Sequence, residues 1–238
     1  MALFAISTLI LGAISGQNPD LKPPLPGIDF SDDRGTLYVS AKAISQEIGF
    51  DYLETKRNVK INYVPVAHVR TLFDGTKLIP IHDLDQFGAK STWDQATLTA
   101  GIQYKGNTYQ VHRGDKKAEV SIRSQTLRAY QGGLLVLQTH VSTGRRGHGT
   151  PSGDFAAARK ERIHYSSIYD DSPMPYAVQV HGNIFIHGFT SVPRRPASHG
   201  CVRVPLTGKN PARYFYSWVE IGTPVTISYN WPEDQAKG

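Results

Sequence analysis

The residues best suited to covalent chemistry lie around the single cysteine of the chain. Cys201 sits in the segment ASHGCVRVP, directly after Gly200, and His199 and Arg203 lie two residues to either side. His187 lies 14 residues upstream, in the segment IHGF. A thiol needs a nearby imidazole to take its proton, because the thiolate is the nucleophile. The spacing therefore predicts a cysteine nucleophile with a histidine base.

The backbone before Cys201 can supply the other groups that acyl transfer needs. Gly200 permits a sharp turn that begins at Ser198, so the N–H groups of His199, Gly200 and Cys201 are candidates for an oxyanion hole. Such a turn also brings His199 back towards the thiol. An isolated cysteine is often only a buried apolar residue, but its polar neighbours argue against a core position here. His181, His187, His199 and Cys201 could instead form a zinc site, although their spacing fits no common zinc pattern.

Composition narrows the class of protein. The chain has 238 residues, of which 39% are hydrophobic and 19% charged, which excludes a disordered chain. One cysteine can close no internal disulfide and build no cysteine-rich metal cluster. The net charge of +6 favours an anionic surface or ligand. The cations are spread without a recognisable binding module, so we expect no nucleic-acid partner. We also expect no metal and no cofactor.

The sequence around the cysteine predicts mostly antiparallel strands as the elements that position it. Segments 119–123, 126–130 and 134–141 have strand patterns, and a glycine-rich loop follows at 143–153. Segments 176–181 and 184–187 flank Gly182-Asn183, a pair typical of tight hairpins. Asn210 and Pro211 predict the start of a helix that runs to about Val219, and 224–229 reads as a last strand.

The amino-terminal half predicts three further parts. An apolar run at 3–14, with Ala13 and Ser15 forming a small-x-small site, indicates a signal peptide or anchor at 1–15; a buried strand or helix is the alternative. We predict a Pro-rich linker at 16–33, a duplicated α+β domain at 34–112, a catalytic domain at 118–231 and a tail at 232–238. The apolar run predicts that the mature protein is exported and, if the signal is not cleaved, tethered, and no later run reaches membrane-spanning length.

The duplication rests on two similar stretches that start 41 residues apart, at Leu37 and Leu78. Each has a short strand, a helix with a glycine near its end (Gly49, Gly88), an aromatic residue and an alternating strand. This part resembles the small wall-associated domain found at the amino end of some copper amine oxidases. The resemblance implies a spacer or pedestal and implies no copper.

IHG (186–188) followed by SHGCVR (198–203) resembles the signature of the L,D-transpeptidase catalytic domain, the YkuD-like family. The segments LRAYQGGLLVLQTHVSTG (127–144), TPSGDF (150–155), SPMPYAVQV (172–180) and GTPVTI (222–227) follow the same family in the same order. The resemblance covers residues 119–229. It implies a β-sandwich catalytic domain and a cysteine enzyme of peptidoglycan.

By this resemblance, Cys201 attacks the third residue of a tetrapeptide stem, expels D-Ala and passes the acyl group to the amine of a neighbouring stem, which gives a 3→3 cross-link. An acceptor protein with an amine is a further option. Water as acceptor gives an L,D-carboxypeptidase. A sortase-like transpeptidase, which also uses His, Cys and Arg, and an inactive wall-binding module are competing hypotheses.

The roles implied for the site residues follow the same match. His187 is the general base, and His199 lines the pocket and orients or polarises the carbonyl. Gly188, Ser198 or a backbone carbonyl fixes the His187 tautomer. Arg203 binds a substrate carboxylate or holds the loop, two roles that the sequence leaves open. Tyr176 borders the donor cleft, with plain strand packing as the alternative.

Overall fold

The computed structural model describes residues 23–55 and 58–231. The signal segment predicted at 1–15, the first part of the predicted linker and the tail at 232–238 lie outside the described residues. The fold is mostly β, as predicted, with 50% strand and 11% helix. Within residues 23–55 and 58–231, the helices are all too short or too polar to cross a membrane.

The amino-terminal elements form a seven-stranded sheet, a three-stranded sheet and two short helices. The larger sheet has the order β6-β7-β2-β1-β10-β9-β8, and β3-β4-β5 form the smaller one. In chain order the elements are β1 (Leu25–Phe30), β2 (Asp33–Ser40), α1 (Ala41–Ile48), β3 (Tyr52–Glu54), β4 (Val59–Ile61), β5 (Val64–Pro65), β6 (Arg70–Thr71), β7 (Lys77–Pro80), a 3₁₀ helix (Ile81–Phe87), β8 (Lys90–Asp94), β9 (Thr99–Tyr104) and β10 (Asn107–Arg113).

The two stretches of the predicted duplication have the same order of elements. Each has a strand (β2, β7), a helix that ends at a glycine in the left-handed conformation (Gly49, Gly88), and two more strands. Their pairing differs, because β3 and β4 pair with each other and β4 also pairs with β5 in a separate sheet, whereas β8 and β9 extend the larger sheet through β10. The two stretches share the order of their elements but not their strand pairing, so the duplication stays a prediction.

The prediction of a linker through residue 33 is wrong for its last part, which is strand β1. Leu25–Phe30 pairs with β10 at one end and with β2 at the other. Ile28 and Phe30 are 0% and 2% exposed, so they alternate inward as in a half-buried strand. The prolines at 23, 24 and 26 favoured the prediction of a linker over that of a strand from this short alternation. A proline is nevertheless tolerated near the end of a strand.

The carboxy-terminal elements form a sandwich of two sheets with one helix. The five-stranded sheet has the order β13-β12-β11-β19-β14, and the four-stranded sheet has the order β15-β16-β17-β18. The elements are β11 (Lys116–Ser121), β12 (Thr126–Gln131), β13 (Leu134–His140), β14 (Gly153–Ala156), β15 (Arg159–Tyr165), β16 (Pro173–His181), β17 (Ile184–Phe189), β18 (Val202–Pro205), α2 (Pro211–Trp218) and β19 (Pro224–Ser228).

The strand patterns, the Gly182-Asn183 hairpin and the Asn210 cap all have their counterparts in these elements. Asn210 caps α2 by accepting the Arg213 N–H at 3.0 Å, and Pro211 opens the helix as predicted. Phe215 and Trp218 of α2 are buried in the core with strands of both sheets. The same core contains Ile28, Phe30, Tyr38, Leu72 and Leu78 from the amino-terminal half.

Side chains along β17 and β18 point alternately into the core and towards the candidate site. The two strands are parallel and adjacent, with Ile186 opposite Val202 and His187 opposite Arg203. Ile186, Val202 and Val204 are fully buried on the core face. Successive side chains of a strand point to opposite faces, so the residues between them share the other face. That face carries Phe185, His187, Phe189, Cys201 and Arg203, all of which line one pocket.

Candidate active site

The candidate active site is a pocket of about 250 Å³ over the outer face of β17 and β18. The ends of β15 and β16 and the turn between them, residues 164–174, form one wall, and the segment with Ser198, His199 and Cys201 forms another. Met174 and Phe185 pack against Cys201 and make the floor apolar. None of the lining residues carries a carboxylate. The pocket therefore suits a ligand with negative charge and an apolar segment.

His187 is held as a neutral imidazole whose Nε2 keeps a lone pair. Its Nδ1 lies 2.9 Å from the carbonyl oxygen of Gly188. A carbonyl can only accept, so Nδ1 carries the proton and Nε2 keeps its lone pair. Burial, assisted by repulsion from Arg203 and His164, lowers the pKa of His187 to about 4 against the opposing hydrogen bond to Gly188. The imidazole is thus neutral at physiological pH and free to accept a proton.

Gly188 fixes that tautomer through its backbone, one of the options that the sequence offered. A Cβ at this position would overlap the side chain of Leu206 and lie 3.1 Å from the carbonyl oxygen of Pro175. The close approach explains why glycine is required there. Gly188 itself does not line the pocket, so its predicted place in substrate binding reduces to orienting His187.

Cys201 is half-buried and is a thiol in this state. Its Sγ lies 3.6 Å from the carbonyl oxygen of Asn183, in the hairpin turn before β17. Burial raises the pKa of Cys201, while a hydrogen bond from the Phe185 backbone and the charge of Arg203 oppose that rise. Cys201 and His187 line the same pocket without a direct hydrogen bond between them. The structure therefore contains no direct hydrogen bond through which a proton could pass from the thiol to the imidazole.

The turn at 198–200 is built by side-chain and backbone hydrogen bonds. The Ser198 hydroxyl donates to the Cys201 carbonyl at 2.5 Å and accepts the Gly200 N–H at 3.1 Å. Gly200 has φ 122°, a conformation that side chains strongly disfavour. The hydroxyl of Thr150 donates to the Gly200 carbonyl at 2.6 Å.

These contacts narrow the oxyanion-hole candidates. The Gly200 N–H is occupied by Ser198, so it is not available in this state. No described residue accepts a hydrogen bond from the amides of His199 and Cys201. Those two amides are the donors left for an oxyanion.

His199 lies at the mouth of the pocket and is oriented by Arg145, which sequence reasoning did not assign to the site. Arg145 Nη2 lies 2.7 Å from His199 Nε2. A guanidinium cannot accept, so Nε2 accepts and the proton sits on Nδ1. Desolvation and the nearby charges of Arg145, His148 and Arg203 hold the pKa of His199 below its usual value. The Tyr169 ring packs against His199, with centroids 4.6 Å apart.

Arg203 both holds the loop and faces the pocket, the two roles that the sequence left open. Its Nη1 donates to the Ala197 carbonyl at 3.3 Å, and its guanidinium lies 4.1 Å from the centre of the Phe189 ring. Among the described residues no carboxylate pairs with it. Burial lowers its pKa from the usual value, yet a guanidinium stays charged. A guanidinium without a carboxylate partner, in the same pocket as the Cys201 thiol, can bind a ligand carboxylate.

Tyr176 does not line this pocket, and its place at the donor cleft stays a prediction. Its ring packs against Tyr216 of α2, with centroids 5.8 Å apart, and against the core. Tyr176 lies in β16 with φ 54°, so the strand bends there. Plain strand packing is the role that this position favours.

The four residues of the zinc hypothesis are not placed to hold one metal ion. His181 lies away from the pocket, where its ring packs against Phe155 with centroids 5.0 Å apart. Within the described ranges no group of three or more His, Cys, Asp or Glu side chains is placed to hold a metal ion.

Fold and site together define a β-sandwich domain that presents a thiol, a neutral imidazole and a free guanidinium in one pocket. Residues 115–227 match the family model of the L,D-transpeptidase catalytic domain, YkuD. This match confirms the resemblance read from the signature around Cys201.

Several solved structures resemble the chain. An L,D-transpeptidase from Stackebrandtia nassauensis is 27% identical over 50% of this chain and 57% of its own, with a TM-score of 0.45. One from Xylanimonas cellulosilytica is 30% identical over 48% and 60%, with a TM-score of 0.42. One from Mycobacterium smegmatis is 15% identical over 86% and 99%, with a TM-score of 0.44. The chain thus spans 57% and 60% of the first two proteins. No curated protein matches it.

Proposed function

We propose that the protein is a peptidoglycan L,D-transpeptidase that forms an acyl-enzyme on Cys201. The donor is a tetrapeptide stem, whose fourth residue, D-Ala, leaves. The observation that carries the proposal is the match of residues 115–227 to the L,D-transpeptidase catalytic domain, with Cys201 and His187 in one pocket. The location we propose is the periplasm or cell wall, where such a substrate lies.

Acylation begins when the donor brings the thiol and the imidazole into proton-transfer distance. The Cys201 sulfur attacks the carbonyl carbon of the third stem residue, and its proton passes to His187 Nε2. The amides of His199 and Cys201 stabilise the oxyanion. The carbon–nitrogen bond to D-Ala then breaks, and His187 returns the proton to the leaving amine. Arg203, which has no carboxylate partner among the described residues, binds the carboxylate of the donor stem.

Transfer reverses these steps with a new amine. The side-chain amine of a neighbouring stem, or of an acceptor protein, attacks the thioester carbonyl and gives its proton to His187. The thioester breaks, the thiolate takes up that proton, and a 3→3 cross-link results. His199, held by Arg145 with its proton on Nδ1, offers a donor to the carbonyl or the acceptor at the mouth of the pocket.

The test is incubation of the full chain with a disaccharide tetrapeptide, with Cys201→Ala as the matched control. Mass spectrometry is expected to show loss of D-Ala, a thioester on Cys201 and a 3→3 dimer. The variant is expected to yield none of them.

Two different results would assign another function. Hydrolysed monomer without dimer would make the protein an L,D-carboxypeptidase. Unmodified Cys201 with no product from any donor stem would contradict the enzyme and leave a wall-binding module.

A further inference from the structure

A second cavity, of about 260 Å³, lies on the amino-terminal half, away from Cys201. Trp93 and Gln95, from β8 and the turn after it, line one side. Leu98, Thr36, Asp29 and Arg113 complete the wall. No role in the proposed chemistry uses this cavity.

Trp93 gives the cavity a flat apolar face in contact with solvent. The side chain is 45% exposed, although tryptophan is highly buried on average. Its indole N–H donates to Gln95 Oε1 at 3.1 Å. The polar edge of the ring is thus satisfied, and the Gln95 amide is oriented with its NH₂ group left to donate elsewhere.

The turn that carries these residues is strained. Leu98 has φ 51°, a left-handed conformation that residues with a side chain rarely adopt. Its carbonyl accepts the Arg113 N–H at 2.8 Å, which ties the turn to β10. Strain of this kind is typical of ligand sites, where it fixes a functional geometry.

The charges around the cavity are balanced, which favours a neutral ligand. Arg113 Nε pairs with Asp29 at 2.8 Å, and its Nη2 pairs with Glu220 at 2.8 Å. Lys116 pairs with the same two carboxylates, at 3.0 Å and 2.9 Å. No described residue hydrogen-bonds to Arg113 Nη1. That nitrogen can therefore donate to a hydroxyl or amide oxygen, while an anionic ligand finds no excess positive charge.

We infer that this cavity binds a neutral sugar ring of a glycan strand. A pyranose ring has an apolar C–H face that packs on Trp93 and a polar edge of hydroxyl or N-acetyl groups that reaches Gln95 and Arg113. An aromatic ligand would use the ring and leave both donors unsatisfied. The inference does not depend on transpeptidase activity, because it concerns binding alone.

The experiment is isothermal titration of the full chain carrying Cys201→Ala with chitotetraose, a neutral N-acetylglucosamine tetramer. Saturable binding is expected. Trp93→Ala is expected to weaken it about tenfold, as loss of an aromatic anchor does. Gln95→Ala is expected to weaken it about fivefold through one lost hydrogen bond. Trp231→Ala, at a tryptophan packed under Arg128 outside the cavity, is the control and is expected to bind unchanged.

Three results would overturn the inference. They are the absence of saturable binding, affinities for Trp93→Ala and Gln95→Ala equal to that of the parent chain, and tighter binding of the anionic tetragalacturonate than of chitotetraose. Because no stem peptide is present in these titrations, a failure here is distinct from a failure of the transpeptidase reaction.

Discussion

Replacing the proposed base, His187→Gln, is expected to remove a large part of the acid sensitivity of folding. His187 is 4% exposed, and burial lowers its pKa to about 4. In the unfolded chain an imidazole titrates at about 6.5. Between pH 6.5 and pH 4 the imidazole of His187 is therefore protonated in the unfolded state but not in the folded state. The stability that the neutral imidazole provides is complete above pH 6.5 and is lost as the pH falls towards 4.

The magnitude follows from the size of the shift. A shift of about 2.5 pKa units corresponds to about 3 kcal/mol over the whole window, and to about 2 kcal/mol between pH 7 and pH 5. Glutamine does not titrate, so the variant lacks this contribution. The buried carboxylates respond to acid in both proteins, so the difference between the two proteins isolates His187.

Urea denaturation at pH 7 and pH 5 provides the measurement, because the free energy of unfolding extrapolates linearly to water. The parent chain is expected to lose about 2 kcal/mol more than His187→Gln on acidification. His112→Gln, on an exposed part of β10, is the control and is expected to follow the parent. An equal loss in parent and His187→Gln would refute the neutral, buried imidazole and with it the resting state from which the mechanism starts.

Two further predictions concern packing and charge. Gly188→Ala is expected to lower the free energy of unfolding by about 1–3 kcal/mol through overpacking and to slow acylation. At Gly149 an added Cβ meets open space, so Gly149→Ala is the control and is not expected to destabilise the fold. Equal melting temperatures of the two variants would contradict this prediction. Lys116→Met leaves Asp29 short of a buried cation and is expected to cost about 3 kcal/mol in urea denaturation. A loss no greater than that of the exposed Lys42→Met would contradict the buried network.

The sequence predicted the catalytic half well because its information there is local. The pair Gly182-Asn183 makes a tight hairpin almost independently of context, and Asn210-Pro211 starts a helix by local capping. A single alternation along β17 then places His187 opposite the core face. Cys201 follows from its position one residue before β18, the parallel neighbour of β17.

What the sequence could not predict depends on contacts between distant segments. Arg145 reaches His199 across 54 positions, and nothing beside Arg145 in the glycine-rich loop distinguishes it from its neighbours. Tyr176 has a positive φ in β16 and packs against Tyr216 and the core, contacts that the sequence of its own strand does not indicate. Strand β1 is missed because its pairing partners, β2 and β10, define it more than its own composition does.

The corrected linker changes what the amino-terminal half can do. A separate amino-terminal domain joined by a flexible linker would leave the catalytic domain free to reorient. Domains with only a small polar interface between them usually move relative to one another. Here the chain docks instead: the Ser31 N–H donates to the Ser217 carbonyl at 2.7 Å, and Ile28 and Phe30 enter the catalytic core. Arg113 lines the second cavity and pairs with Glu220, just beyond α2. The contacts between the two halves therefore place the thiol pocket and the proposed glycan site in a fixed relation. If a glycan strand binds at Trp93 as we infer, this relation would restrict which stem peptides reach Cys201.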